Sequence, residues 1–387
     1  MNDCQRETDG ALVENRFLPL DGLRGLAAIG VLSFHVVVSA TDAFWQLDSL
    51  YLLVDFFFVL SGFVLWPSIP KERRQLGRAF GAFTLKRVFR FWPLVIVALI
   101  VATFVLQLER DALMSRDIWD APFGYVTGMP EIRKVGIFAS AYLLLQIWVP
   151  PALFINVPLW SLSAEWFANL LYGCLSWLKH SAGIIGLIVV GYVMLSWGLI
   201  SDQEWIDGIG PIRGFEALGR ALLGFGLGLL IRKHLDLLAR FRTWWLLLVA
   251  LALLVALPII EKDTHYDSYR YAITLYAAPI FALLILQVSK FRANPTGRWG
   301  KFLAFLGTYS FGIYVFHQPL MQAWNVIMGT PSGGKYNEDW IWFFLAEASG
   351  LTFVCILLTF IARKLVEGPL QKLGKRLIAK VSGPLAR

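Results

Sequence analysis

Charge is scarce in this chain. Asp, Glu, Lys and Arg supply 16% of its 387 residues, against about 25% in soluble globular proteins. Cysteine is scarcer still: Cys4, Cys174 and Cys355 stand far apart without a CxxC pair, which excludes a disulfide framework and a cysteine-based zinc site. The first twenty residues carry Asp3, Glu7, Asp9 and Glu14 where a short basic region and an apolar core would mark a signal peptide, so none is expected. No repeat of fixed period and no low-complexity linker divides the chain, and no soluble domain is expected.

Apolar residues are plentiful. They make up 57% of the chain, aromatics 15%, and mean hydropathy is +0.61. That excludes disorder as a general description and favours one polytopic membrane domain. About 20 apolar residues cross roughly 30 Å of hydrocarbon as a helix. Such segments occur at 23–40, 49–66, 89–106, 159–178, 182–199, 215–231, 244–260, 271–288, 302–328 and 341–362. A further run, 135–149, is short and is followed by Pro150 and Pro151.

The formal net charge of +8 could suggest a nucleic-acid partner. The basic residues instead cluster at the ends of apolar runs, as the positive-inside rule requires. Lys71, Arg73, Arg74 and Arg78 follow the second segment; Arg232, Lys233, Arg240 and Arg242 follow the sixth. Lys290, Arg292, Arg298 and Lys301 mark another cytoplasmic loop, and Arg363, Lys364, Lys372, Lys375 and Arg376 mark the tail. The loops around Asp202–Asp207, Glu261–Asp267 and Glu338–Asp339 are acidic or mixed, and the long segment Gln107–Lys134 is external. These assignments agree only if 135–149 does not cross. The expected fold is an all-α polytopic membrane protein with about ten transmembrane helices, both termini cytoplasmic, and one short re-entrant or interfacial segment. Residues 1–387 form a single domain with its core at about 16–369. Gly224 and Gly228 have GxxxG spacing, which reads as helix packing because no strand precedes it. The basic tail reads as a lipid-headgroup contact.

An ionisable residue inside a span costs about 2.5–3.5 kcal/mol on insertion scales, so each needs a reason. Arg24 and His35 lie in the first segment, Asp55 in the second, Glu165 in the fourth and His317 in the ninth; Lys86, Arg87 and Arg90 sit at the mouth of the third. Eleven residues separate Arg24 from His35. That places both within about 20° of one helix face and roughly 16 Å apart along the axis. His35, Asp55 and Glu165 reach similar depths in the outer half. The bland alternatives are packing for a lone histidine, and snorkelling topology anchors for the basic residues. A basic mouth below a histidine and carboxylates fits a channel for a long anionic ligand; a proton-coupled transporter uses the same residue types.

These residues also carry a family resemblance. Leu20-Asp-Gly-Leu-Arg-Gly-Leu-Ala-Ala27 followed by His35 resembles the opening of the acyltransferase family 3 membrane proteins, with their Arg-x10-His signature. Val54-Asp-Phe-Phe-Phe-Val-Leu-Ser-Gly-Phe63 is similar to that family's second span. Phe83-Thr-Leu-Lys-Arg-Val-Phe-Arg-Phe-Trp-Pro93 resembles its Arg-x-x-Arg helix start, Trp160-Ser-Leu-Ser-Ala-Glu-Trp166 its glutamate motif, and Tyr309-Ser-Phe-Gly-Ile-Tyr-Val-Phe-His-Gln-Pro319 its late helix. Phe167-Ala-Asn169 and Lys86 depart from the usual pattern. The resemblance is to the stand-alone type, without a fused extracytoplasmic hydrolase-like domain.

The resemblance implies an O-acyltransferase of the bacterial cytoplasmic (inner) membrane. Its donor would be acetyl-CoA or a related acyl-CoA, its acceptor a sugar hydroxyl on a surface or exported polysaccharide or its lipid-linked precursor, with no metal. Membrane lipids are expected partners, with a homo-oligomer or polysaccharide-assembly proteins as further ones. Arg24, Lys86, Arg87 and Arg90 would hold the donor's phosphates. The pantetheine arm, on the order of 15–20 Å extended, is comparable with the roughly 16 Å between Arg24 and His35. His35 is then the general base, with Asp55 or Glu165 orienting it, and an acyl-His35 intermediate stays open. His317 would line the acceptor side or cap helix packing.

Overall fold

The structure, a computed structural model, describes residues 17–38, 47, 49–66, 76–114, 131–174, 181–200, 212–262, 267–328 and 340–382. Asp3, Cys4, Glu7, Asp9, Glu14, Lys71, Arg73, Arg74, residues 115–130, Asp202–Asp207 and Glu338–Asp339 lie outside them. The helices are α1 (Leu18–Val38), α2 (Leu53–Leu65), α3 (Leu76–Met114), α4 (Glu131–Tyr142), α5 (Leu159–Cys174) and α6 (Ser181–Ile200). There follow α7 (Gly214–Lys233), α8 (Trp244–Lys262), α9 (Asp267–Val288), α10 (Arg298–Met328), α11 (Trp340–Ala362) and α12 (Gly368–Ser382). A 3₁₀ turn, Ser49–Leu52, leads into α2, and a π-helical turn, Arg363–Glu367, joins α11 to α12. No strand occurs among the described residues.

Each of the ten apolar segments falls on a helix. Four helical stretches among the described residues are long and apolar enough to cross a membrane: Leu18–Val37, Gly77–Leu108, Gly214–Lys233 and Ile341–Val381. A fifth is added if Leu235–Phe241 and Trp244–Leu257, bent by 87°, count together. The run 135–149 behaves differently. Helix α4 stops at Tyr142, Leu144 takes a left-handed φ of 56°, and Pro150–Ile155 forms a 3₁₀ turn. A non-glycine residue at positive φ is costly unless its surroundings hold it. Ser163 Oγ, on α5, donates to the Leu144 carbonyl at 2.6 Å, and Leu144 is buried.

Glycines set which helices touch. At Gly62 and Gly228 a methyl group would strike the Phe225 and Val59 carbonyl oxygens, and one at Gly224 would meet Phe58 Cβ at 2.7 Å. The Gly224–Gly228 pair is therefore a packing motif, joining α7 to α2. Gly25 against Leu306 and Gly307 against Asp21 let α1 and α10 approach in the same way. The contacts advance together along α2 and α7, and along α1 and α10 from Gly22–Leu303 through Gly25–Leu306 to His35–His317, so α2 runs parallel to α7 and α1 runs parallel to α10.

An intrahelical proline leaves a carbonyl four residues earlier without its helical donor. Two such carbonyls are satisfied from a neighbouring segment. Pro319 frees the Val315 oxygen, which accepts from Asn156 Nδ2 at 3.0 Å; Pro279 frees the Leu275 oxygen, which accepts from the Tyr192 hydroxyl at 3.2 Å. In hydrocarbon an unsatisfied backbone group costs several kcal/mol, so these side chains hold the broken helices in place.

Candidate active site

The parallel pair α1 and α10 carries the site's two ends. Near their N-terminal ends, Arg24 Nε donates to Ser310 Oγ at 2.9 Å and Nη2 to the Gly307 carbonyl at 2.5 Å, with Asp21 at 3.4 Å. The close approach at Gly25 and Gly307 makes this reach feasible. Three turns further along, the His35 and His317 rings lie 5.1 Å apart between centroids. His317 is buried, and its Nδ1 donates to the Ile313 carbonyl at 3.1 Å. That bond fixes the tautomer. Nε2 keeps its lone pair and, buried, has no hydrogen-bond partner among the described residues.

At the Arg24 end lies a cavity of about 250 Å³ lined by Arg24, Arg87, Arg90, Glu165, Ser61, Ser161, Ser310 and Tyr314, with Phe57, Phe58 and Phe311 among its apolar walls; neither histidine lines it. Arg87 and Arg90, three residues apart, share one face of α3. The Arg87 guanidinium lies 5.8 Å from the Phe83 ring and 5.9 Å from Phe91; that of Arg90 lies 5.6 Å from Phe311. Such stacking holds a guanidinium still while leaving its donors usable. Lys86 is exposed and lines no part of the cavity. One residue from Arg87, it is turned about 100° around the helix, so the basic set narrows to Arg24, Arg87 and Arg90.

The carboxylates are not where depth alone would put them. Asp55 is fully buried and receives two bonds from Arg220, Nε to Oδ1 at 2.9 Å and Nη2 to Oδ2 at 2.6 Å. Glu165 accepts from Ser61 Oγ at 2.6 Å and lies within electrostatic reach of Arg87 and Arg90. No carboxylate is hydrogen-bonded to His35 among the described residues. The expectation that Asp55 or Glu165 orients His35 is therefore corrected: Asp55 belongs to an ion pair with α7, Glu165 to the arginine cavity, and His317 is the ring beside His35.

Tyr314 joins the two halves. Its hydroxyl donates to the Pro158 carbonyl at 3.0 Å and lies 2.5 Å from Ser161 Oγ. Its ring meets Phe57 edge-on at 5.4 Å and His317 at 5.9 Å. Arg220 and Tyr314 were not singled out from the sequence. Arg220 did carry a signal, since it is a charged residue inside the apolar segment 215–231. Tyr314 carried none, because an aromatic among so many marks nothing.

Three arginines and a carboxylate thus share one cavity, and two imidazoles stand further along the same helices. A family model described as an acyltransferase domain (Acyl_transf_3) matches residues 18–362, and the chain belongs to that family. It is a membrane acyltransferase, and the transporter reading falls away. The chain is 31% identical over 189 residues to "Protein 2 in picA locus" of Rhizobium radiobacter, covering 45% of this chain and 92% of that one. It is 27% identical over 333 residues to a putative O-acetyltransferase of Staphylococcus aureus strain COL, covering 78% of this chain and 50% of the relative. To the peptidoglycan O-acetyltransferase OatA of Listeria monocytogenes it is 24% identical over 383 residues, 93% of this chain and 56% of that one. The chain thus spans about half the length of these two O-acetyltransferases. No solved structure matches it.

Proposed function

We propose that this chain moves an acetyl or other short acyl group from cytoplasmic acyl-CoA to a sugar hydroxyl of an exported or surface polysaccharide, or its lipid-linked precursor, at the bacterial inner membrane. The observation that carries the reading is the arginine cavity placed about three helical turns from the histidine pair on α1 and α10. Three guanidiniums suit the polyanionic end of CoA, and Tyr314, which lines the cavity, has its ring 5.9 Å from that of His317 between centroids. The peptidoglycan O-acetyltransferase relative supports a carbohydrate acceptor.

His35 takes the proton of the acceptor hydroxyl as its oxygen attacks the thioester carbonyl. The tetrahedral intermediate collapses, the carbon–sulfur bond breaks, and the proton passes from His35 to the departing sulfur. The His317 Nε2 lone pair lies beside the imidazolium formed on the way. Glu165 has a different part here: its carboxylate shares the cavity with Arg87 and Arg90 and offsets part of their charge.

The direct test uses purified protein in detergent or nanodiscs. It should bind CoA, and Arg24→Ala, Arg87→Ala and Arg90→Ala should each weaken binding, with Lys restoring only part because it lacks the guanidinium fork. Wild-type protein that neither binds CoA nor releases it from acetyl-CoA with a saccharide acceptor would sink the reading.

A further inference from the structure

The π-helical turn Arg363–Glu367 is unexplained by the acyl-transfer site itself. Such turns occur mostly as single-turn bulges and often lie at functional sites. Here the turn ends on Glu367, which is buried although its helix neighbours Lys364 and Leu365 are exposed. A buried carboxylate is costly unless it is paired. Glu367 is paired three ways: Arg363 Nε lies 3.2 Å from Oε2, Arg90 Nη1 lies 3.7 Å from Oε1, and Gln371 Nε2 donates to Oε1 at 2.8 Å. Arg363 in turn donates from Nη1 to the Thr308 carbonyl at 3.0 Å. Thr308 lies beside Gly307, whose carbonyl holds Arg24. One carboxylate at the elbow between α11 and α12 therefore backs Arg90 on α3 directly and, through Arg363, the stretch of α10 that holds Arg24.

We infer that Glu367 is a positioning residue for the anionic end of the donor, holding Arg90 so that its guanidinium is presented to the cavity before the ligand arrives. This rests on the acyl-CoA reading above. The Arg90–Glu367 ion pair is a loose one at 3.7 Å, and Arg90 remains 40% exposed at its side chain. The pair orients the guanidinium without occupying its whole fork of donors. Glu367 does not line the cavity, so its action is on binding and not on the chemical step.

The test measures CoA affinity, and KM and kcat for acetyl-CoA, in four purified proteins: wild type, Glu367→Gln, Arg90→Ala and the double variant. Glu367→Gln should raise KM and the CoA Kd about tenfold with kcat within about twofold, and should add little in the Arg90→Ala background, because coupled residues give non-additive effects. Glu367→Asp keeps the charge and should recover part of the affinity. It also carries the test should Glu367→Gln fail to fold, its expected signature then being a raised KM at unchanged kcat. Wild-type affinity in Glu367→Gln, or in Glu367→Asp where that stands in, overturns the inference. So does an equal loss with and without Arg90, or a fall in kcat at constant KM. Wild-type protein that binds no CoA overturns the donor reading instead, and this inference with it.

Discussion

Two histidines divide one task. His35→Ala should abolish acyl transfer, by about 10²–10⁴ in rate if only general-base help is lost, while CoA binding survives because Arg24 stands about 16 Å away along the helix. His317→Asn keeps a donor for the Ile313 carbonyl but removes the Nε2 lone pair. It should lower kcat about tenfold or more with KM unchanged. Steady-state kinetics on both variants check this; wild-type turnover in His35→Ala would remove His35 from the mechanism. Asp55 calls for the opposite experiment. Losing either member of its buried pair with Arg220 strands a charge, a loss of about 3–5 kcal/mol, whereas replacing both with leucine should recover much of the stability. Thermal unfolding of Asp55→Leu, Arg220→Leu and the double variant measures that difference. An Asp55 that oriented His35 would instead fail in turnover in both the single and the double variant. Spacing along one helix made Arg24 and His35 legible from the sequence, because eleven residues make nearly whole turns. No spacing rule joins Asp55 to a residue 165 positions away.

Helices were legible where apolar runs were long. What the sequence did not disclose was how the carbonyls freed by Pro279 and Pro319 are satisfied. Asn156 satisfies a carbonyl 159 residues further along the chain. Asn156→Leu should cost about 1–3 kcal/mol by leaving the Val315 oxygen unpaired. In a Pro319→Ala background the restored backbone N–H can serve that oxygen, so the same change should cost markedly less. Equal losses in the two backgrounds, read by thermal unfolding, would show that Asn156 acts through something other than Val315. The short run 135–149 was distinguishable by its length and its following prolines, but the left-handed turn at Leu144 was not, since leucine carries no preference for it.

At the scale of the molecule, charge placement led to a topology of about ten spans with both termini cytoplasmic. The parallel helix pairs bear on one part of it, the segment 135–149, by parity. Helices α1 and α10 run the same way, as do α2 and α7, and each pair straddles 135–149. If that segment crossed as one further span, the members of each pair would enter from opposite sides and lie antiparallel. Cysteine-accessibility mapping should place Arg78, Arg232 and Lys372 on the cytoplasmic side and Asp202 on the other. An external Lys372 would break the topology. Which helices stand side by side was not legible, since it depends on small residues meeting across gaps of well over a hundred positions. The GxxxG spacing marked Gly228 for helix packing but did not name α2 as its partner, and Gly62 looks like any other glycine until the helices are in contact.

Helix α1 has no proline and no break between Arg24 and His35. The separation between anchor and base is consequently a count of peptide units, about 1.5 Å each, with no hinge to stretch it. The helix works as a gauge. Under the proposed function, a thioester is accepted or refused by how far its carbonyl carbon hangs from its anionic head, before its acyl group touches any wall. Discrimination among donors is then a matter of calibrated length as much as of chemical fit.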